Sequence, residues 1–232
     1  MANTEINEPQ EDQLENVENQ LGRTEQYIEN NKEKLFTILA VIVLLIVAVM
    51  AYFKYFKAPK EERAAAEMFM AEQNLEKDSF KLALNGDANY PGFLKIIDNY
   101  GSTKAGNNAH YYAAVCYLHI GEFDKAIEML KGFSSSDPTI EPLSIGLMGD
   151  AYSEKSNYDE AVSYYKKAAS KAAKNDFVAP YILQKLANIY DIQQKYQDAL
   201  NIYEKIKTEY PLSREGALAE KYIQAMKIKL GK

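Results

Sequence analysis

The sequence predicts an all-α protein: a single N-terminal transmembrane helix, then a solenoid of helix-turn-helix repeats that ends in a capping helix. Three observations predict this fold class. Residues 35–53 form an uncharged apolar run, and a set of small and aromatic residues recurs three times after residue 107. Between residues 60 and 77 the chain is rich in Ala, Glu, Met and Leu, which favour helix.

The N-terminal tail, residues 1–34, is acidic, with nine carboxylates against three basic side chains. Residues 1–12 are polar and interrupted by Pro9, a composition typical of disorder. Further along, a thin apolar stripe at helical spacing comprises Leu14, Val17, Leu21, Ile28 and Leu35. This stripe fits either a solvated helix or a short dimerising coiled coil, so the oligomeric state stays open.

The apolar run and its aromatic border, residues 35–57, are predicted to cross a lipid bilayer. Its uncharged part would span ~28 Å as a helix, close to a hydrocarbon core of ~30 Å. Tyr52, Phe53, Tyr55 and Phe56 suit the headgroup layer at one edge. A cleaved signal peptide is the alternative, but its apolar region is shorter, at ~7–15 residues, and lies nearer the N-terminus. Basic residues flank both ends in similar number, so charge alone does not set the orientation. Pro59 marks a junction with the next helix.

Residues 107–212 contain three copies of one pattern. In each copy a small residue, a Tyr, an aromatic, an Ala and a large residue follow at fixed offsets: Ala114, Tyr117, Phe123, Ala126 and Leu130; Gly149, Tyr152, Tyr158, Ala161 and Tyr165; Ala187, Tyr190, Tyr196, Ala199 and Tyr203. The three alanines Ala126, Ala161 and Ala199 lie 35 and 38 residues apart. The pattern resembles the tetratricopeptide repeat, a helix-turn-helix unit of ~34 residues.

The small residues of this pattern allow paired helices to approach closely, while the aromatic residues fill the gaps between neighbours. Stacked units of this kind form a superhelix with a concave surface. Residues 60–106 resemble a degenerate first unit, and residues 213–232 are predicted to form the capping helix.

The sequence contains no phosphate loop, no nucleophile elbow and no paired-cysteine or zinc-protease motif, which predicts no enzymatic activity and no cofactor. Cys116 and His119 share a helix face, but two ligands without a third make a poor metal site, and both are expected to pack structurally. After the acidic tail the chain has no net charge, so it lacks the basic patch of a nucleic-acid-binding protein.

The repeat template places a mixed set of side chains in the concave groove. These are Asn108, Tyr111, Tyr112, Val115 and His119 from the first repeat, Leu143, Leu147, Asp150 and Glu154 from the second, and Tyr181, Gln184, Lys185, Asn188 and Asp191 from the third. Tyrosines, amides and carboxylates suit recognition of a polypeptide. The alternative for each residue is packing against a neighbouring helix. Of the positions with which related domains grip an acidic chaperone tail, only Asn188 is matched, and the basic partners are absent.

The layout of the chain, together with the stretch NYPGFLKIIDNYGSTKAGNNAHYYAAVCYLHIGEFDKAIEML, resembles the YfgM-type ancillary subunits of the SecYEG translocon. That resemblance implies a single-pass protein of the bacterial inner membrane, with its N-terminus in the cytoplasm and its repeats in the periplasm. It also implies protein partners, namely SecYEG and a periplasmic chaperone or isomerase. A structural coordinator of an envelope or cell-division complex, using the same groove, is the alternative.

Overall fold

The structure is a computed structural model that describes residues 8–232, with side chains from residue 26 onward. It divides into two compact units, residues 1–59 and 60–232. Residues 1–7 of the segment predicted to be disordered lie outside the described part. So do the side chains of Leu14, Val17 and Leu21 in the predicted stripe.

The first unit is helical throughout its described part. Helix α1 runs over Glu8–Tyr52 and is followed by a π-helical turn, Phe53–Lys57. The N-terminal helical segment is long and apolar enough to span a membrane, and none of its apolar window is buried among the described residues. Helix α2, Ala58–Glu76, follows without a loop. At the expected junction the chain therefore stays helical, because Pro59 lies in the first turn of α2, where its missing N–H is tolerated.

In the second unit, α2 is followed by nine more helices: α3 (Phe80–Asn85), α4 (Phe93–Tyr100), α5 (Lys104–His119), α6 (Phe123–Gly132), α7 (Ile140–Glu154), α8 (Tyr158–Lys171), α9 (Val178–Ile192), α10 (Tyr196–Glu209) and α11 (Arg214–Lys229). Helices α5/α6, α7/α8 and α9/α10 are the three repeats, which we call repeats 1, 2 and 3. The predicted degenerate unit contains α2, α3 and α4, and the predicted capping helix is α11.

The same tight turn joins the two helices of every repeat. The N–H groups of Glu122, Asn157 and Lys195 donate to the carbonyls of Tyr117, Tyr152 and Tyr190. One residue before each donor the backbone is left-handed, at Gly121 (φ 80°), Ser156 (φ 58°) and Gln194 (φ 59°). Only Gly adopts this conformation without steric cost, so repeats 2 and 3 form the turn at some expense in stability.

The core is built on the small residues of the repeat pattern. Ala114, Ala126, Ala161, Ala187 and Ala199 are all fully buried. Buried residues form two clusters, one centred on Phe93 and Ile96 near the start of the second unit. The other runs from α8 to α11 around Ile182 and Ile206. Together the two clusters hold the first helices of the repeats, α5, α7 and α9, along one groove.

Candidate functional site: the concave groove

A groove of about 690 Å³ runs across the three repeats. Residues from α5, α6, α7, α8 and α9 and from the turn after α5 line it: Val115, Leu118, His119, Gly121, Phe123, Leu147, Asp150, Ser153, Glu154, Tyr165, Lys185, Asn188, Ile189 and Ile192. This volume lies within the range of ordinary ligand-binding clefts. The structure thus brings together side chains from all three repeats on one surface.

Asp150 is the polar centre of the groove. Its carboxylate accepts two hydrogen bonds from Lys185 Nζ, at 2.8 and 2.9 Å. It also accepts one from the hydroxyl of Tyr165, on the second helix of its own repeat. Because Lys185 belongs to repeat 3, this ion pair joins two stacked repeats across the groove floor.

The electrostatics of this cluster follow from its partial burial. Desolvation lowers the pKa of Lys185, but the Asp150 carboxylate and the neighbouring Tyr181 outweigh it, so the pKa is raised. Burial, and then the Asp150 charge, raises the pKa of Tyr165. Lys185 is therefore firmly cationic and Tyr165 firmly protonated at neutral pH. The charges of Asp150 and Lys185 therefore neutralise each other within the groove, without a bound partner.

The third repeat contains a neutral version of the same arrangement. The hydroxyl of Tyr203 donates to Asn188 Oδ1 at 2.7 Å, and burial raises the pKa of Tyr203. At the end of the groove, Asp191 pairs with Lys229 of α11, whose Nζ lies 2.5 and 2.7 Å from the two carboxylate oxygens. The helix that caps the solenoid thus also neutralises the last carboxylate on α9.

The apolar part of the groove comes mostly from repeats 1 and 3, with Leu147 from repeat 2. Val115, Leu118 and Phe123 lie in repeat 1, and Ile189 and Ile192 lie at the end of α9. Ile192 is 56% exposed, which is unusual for so large an apolar side chain on a helix. Glu154 is exposed nearby, and no ion pair to it is found among the described side chains. The groove therefore offers an apolar surface beside one free carboxylate.

The predicted groove residues divide into two groups. Val115, His119, Leu147, Asp150, Glu154, Lys185 and Asn188 line the groove. Asn108, Tyr111, Tyr112, Leu143, Tyr181, Gln184 and Asp191 are not part of its lining.

The tyrosines outside the lining pack against other elements. Tyr112 stacks on buried Phe93, with ring centroids 5.5 Å apart, and Tyr111 lies 5.3 Å from the ring of Phe133. Tyr181 lines a neighbouring pocket together with Phe177. The structure thus places Tyr111 and Tyr112 against other aromatic rings, which corresponds to the alternative of helix packing.

Two lining residues absent from the prediction could have been found from the repeat register. Ile192 is the repeat-3 equivalent of His119 and Glu154, both of which were predicted. Tyr165 lies on the second helix of its repeat, whereas the template considered only first helices. The spacing of 15 residues between Asp150 and Tyr165 recurs between Asn188 and Tyr203. This repeated spacing could have identified Tyr165 from the sequence.

Cys116 and His119 occupy different surroundings despite their spacing. Cys116 is fully buried, and burial raises its pKa to about 12, so it is a thiol at neutral pH. The His119 ring stacks on Phe80 with centroids 4.3 Å apart. Metal binding and nucleophilic chemistry need the thiolate, which this environment disfavours. Nor does any group of three potential metal ligands occur among the described residues.

Three antiparallel helix pairs with buried small residues and a lined concave face define a helical-repeat domain of the kind that binds other proteins. Comparison with family models gives the particular repeat. Tetratricopeptide-repeat models match residues 108–139, 144–177 and 181–213. The three repeats of this chain are therefore tetratricopeptide repeats.

Solved structures agree with this fold. Two crystal structures from Podosopora anserina, of kinesin light chain nearly identical TPR-like repeats and of a single-substitution variant of them, superpose with TM-scores of 0.57 and 0.56. Each is 14% identical, over 74% of this chain and 88% of the other. A structure of MamA is 20% identical over 74% of this chain and 93% of its own length, with a TM-score of 0.48. Comparison with curated proteins finds no match.

Proposed function

We propose that this protein is a membrane-anchored scaffold whose concave groove binds a segment of another protein. The supporting observation is the groove itself, in which Asp150 and Lys185 are already paired while Val115, Leu118 and Ile192 offer apolar contacts. Tetratricopeptide-repeat proteins are generally non-enzymatic scaffolds. Such a groove gains affinity by burying apolar side chains of the partner rather than by chemistry on it.

The charges of the groove favour an apolar segment over an acidic tail. Lys185 already forms an ion pair with Asp150, so it is not available to bind a carboxylate of the partner. Glu154 would repel one and would attract a basic side chain. We therefore expect the bound segment to be mainly apolar, with a Lys or Arg opposite Glu154.

The anchor is the second part of the proposal. An N-terminal helix that is long and apolar enough to span a membrane supports a single bilayer-spanning segment over residues 35–57. The resemblance described above extends the proposal to a bacterial inner-membrane protein with periplasmic repeats. There it would link the SecYEG translocon to periplasmic chaperones or to emerging chains.

The orientation can be tested directly. Alkaline-phosphatase and green-fluorescent-protein fusions after Lys232 report on which side of the membrane the C-terminus lies. Active phosphatase with a dark fluorescent fusion is the expected pair. A fluorescent and phosphatase-inactive pair would place the repeats in the cytoplasm and remove the translocon role.

Binding of a partner in the groove can be tested by substituting two exposed isoleucines, one inside the groove lining and one outside it. Ile192, 56% exposed, lines the groove, whereas Ile228, 75% exposed, lies on α11 outside the lining. Replacing Ile192 with Asp buries a charge against the partner, which we expect to cost ~2 kcal/mol or roughly thirtyfold in affinity.

The readout is co-purification of the main protein partner from solubilised membranes. Ile192→Asp should lose the partner, while Ile228→Asp should retain it. Retention by both variants would show that recognition does not use the groove. The identity of the retained partner decides between the translocon and an envelope or cell-division complex.

A further inference from the structure

Two turns of the second unit share the same sequence pattern and geometry. Residues 100–106 read YGSTKAG and lead into the first turn of α5, and residues 210–216 read YPLSREG and lead into the first turn of α11. In each, the Ser or Thr hydroxyl donates to the Tyr carbonyl, Thr103 at 2.6 Å and Ser213 at 2.8 Å. In each, that hydroxyl also accepts from the Gly N–H of the first helical turn at 2.9 Å. The two turns are structural equivalents.

A second pair of turns is equivalent in the same way. Before α7, Asp137 Oδ1 accepts from the N–H groups of Thr139 and Ile140. Before α9, Asn175 Oδ1 accepts from the N–H groups of Phe177 and Val178. Both turns lead into a helix whose third residue is a buried proline, Pro142 or Pro180.

Each pair contains one exposed position at which a polar residue of one turn corresponds to a large apolar residue of the other. Ser102 of the first pair corresponds to Leu212, and Thr139 of the second corresponds to Phe177. Leu212 is 100% exposed and Phe177 is 88% exposed. Because equivalent turns form with Ser and Thr at these positions, the fold does not require Leu and Phe there. Large apolar side chains fully in solvent point instead to an interaction surface.

The two side chains border one pocket of about 740 Å³ between the start of α9 and the start of α11. We call it the rim pocket. The aromatic rings of Tyr181 and Tyr210 also line it. Its charged lining residues are Asp176, Glu209, Glu215 and Arg214. Three carboxylates against one guanidinium make the pocket acidic. Burial, and then the charges of Glu209 and Asp176, raise the pKa of Tyr210.

We propose that the rim pocket docks a segment of a second protein that presents an aliphatic or aromatic side chain flanked by Lys or Arg. The apolar side chain would fill the space between Phe177, Tyr181 and Leu212, and the basic neighbours would pair with the acidic edge. The acidic edge disfavours an acidic peptide through like-charge repulsion. This surface is separate from the groove, since the two linings share no residue, and it would give the scaffold a second point of attachment.

The test uses the full chain in detergent micelles and a random twelve-residue peptide library displayed on phage. Panning on the wild type is followed by counter-selection on the double variant Phe177→Thr with Leu212→Ser. These substitutions introduce the residue types of the equivalent turns, so the fold is expected to persist. Far-UV circular dichroism of the double variant checks that it does. Peptides that survive are synthesised, labelled and measured by fluorescence anisotropy.

We expect surviving peptides with an apolar residue between Lys or Arg, binding the wild type at least tenfold more tightly than the double variant. They should also lose affinity for Asp176→Lys with Glu215→Lys, and bind Ile192→Asp normally. Normal binding to Ile192→Asp separates this site from the groove, so the failure of one proposal would not count against the other.

Two outcomes would overturn the proposal. In one, no peptide discriminates the wild type from the double variant, or the discriminating peptides have acidic flanks. In the other, sedimentation shows that the wild type self-associates and the double variant does not, so that a second copy of this chain occupies the pocket.

Discussion

Repeat 1 differs from repeats 2 and 3 at one pair of equivalent positions, which is apolar in repeat 1 and hydrogen-bonded in the other two. In repeats 2 and 3 a polar residue on the first helix accepts a hydrogen bond from a tyrosine 15 residues later, in the pairs Asp150–Tyr165 and Asn188–Tyr203. In repeat 1 the equivalent residues are Val115 and Leu130, both apolar. The packing of the helix pair is compatible with either chemistry.

This difference shows that the groove surface is not dictated by the fold. The same two buried positions hold a small residue, Ala or Gly, in all three repeats and fix the helix pairs. The neighbouring position, one residue further along, is apolar in repeat 1 and polar in repeats 2 and 3. A partner therefore meets an apolar side chain at this position in repeat 1 and a hydrogen-bonded polar one in repeats 2 and 3.

The largest expected effect comes from breaking the polar floor at Asp150. Asp150→Ala leaves the partly buried Lys185 cation and the Tyr165 hydroxyl without their acceptor. We expect a loss of about 2 kcal/mol in the free energy of unfolding, below the value for a fully buried pair because both side chains keep some solvent contact. Urea unfolding of the full chain in micelles, followed by circular dichroism, measures it.

The control for Asp150→Ala is the double variant Asp150→Ala with Lys185→Met, which removes the stranded charge. It should recover at least half of the lost stability. If the double variant is as unstable as the single one, the ion pair is not the source of the effect.

The second prediction compares two glycines of α7. A Cβ at Gly149 would lie 2.6 Å from the ring of Tyr165, which is held by Asp150, whereas a Cβ at Gly146 would meet only Ile182 Cδ1, also at 2.6 Å. An aliphatic terminus can rotate away more easily than a hydrogen-bonded ring. After the helix-propensity gain of Ala, we expect Gly149→Ala to cost about 1.5 kcal/mol and Gly146→Ala to be nearly neutral.

Thermal unfolding of the two glycine variants side by side measures the contrast. Equal melting temperatures would show that Tyr165 is not fixed in the groove floor.

Repeat 1 has a pH-dependent weakness that repeats 2 and 3 lack. His110 occupies the position of Ile145 and Leu183, its Nδ1 is buried without a hydrogen-bond partner, and burial lowers its pKa. The unfolded chain therefore binds a proton first, so stability is lost as the pH falls below about 6.5.

Replacing His110 with Leu should remove this loss, which is at most about 1.4 kcal/mol at pH 5.5 because that lies about one unit below the unfolded pKa. Urea midpoints at pH 7.5 and pH 5.5 for both proteins provide the measurement. An identical pH dependence in the variant would exclude His110 as its cause.

The smallest effect concerns the turns. Repeat 1 has Gly121 at the left-handed position, whereas repeats 2 and 3 have Ser156 and Gln194. Gln194→Gly relieves a steric cost of roughly 1 kcal/mol, partly offset by the greater entropy of unfolded Gly. A gain of about 0.5 kcal/mol in unfolding free energy should follow, and Gly121→Gln should lose a similar amount. A loss of stability in Gln194→Gly would contradict this account.

The sequence alone was sufficient to predict the helix pairs and some of the residues that line the groove. Repeated small residues and the offset from Ala126 to Ala161 and Ala199 fixed which helices pair, and the equivalent positions placed Asp150 and Asn188 in the groove. The Asp150–Lys185 pair was not foreseen, since it spans 35 residues and depends on how closely two repeats stack. Residue type alone also could not separate Tyr112, which packs on Phe93, from a tyrosine open to a partner.

The chain's behaviour at Pro59 shows another limit of sequence reasoning. Proline in a helical sequence usually signals a boundary. Here a π-helical turn precedes α2, and the Ala58 N–H donates to the Phe53 carbonyl. The chain stays helical from this turn into the first turn of α2, where the missing N–H of Pro59 is tolerated. A π-helical turn has no sequence signature comparable to the repeat pattern.

The central claim is that the groove, and not the outer surface of the repeats, contacts the partner. Photo-crosslinking in intact membranes tests it most directly, with a benzophenone amino acid placed at Glu154 or Ile192 in the groove. Matched exposed positions outside the groove lining are Lys167 on α8 and Ile228 on α11. We predict the same crosslinked protein from both groove positions and none of it from the two outer positions. Crosslinks to that protein from Lys167 and Ile228, with none from Glu154 and Ile192, would contradict the account.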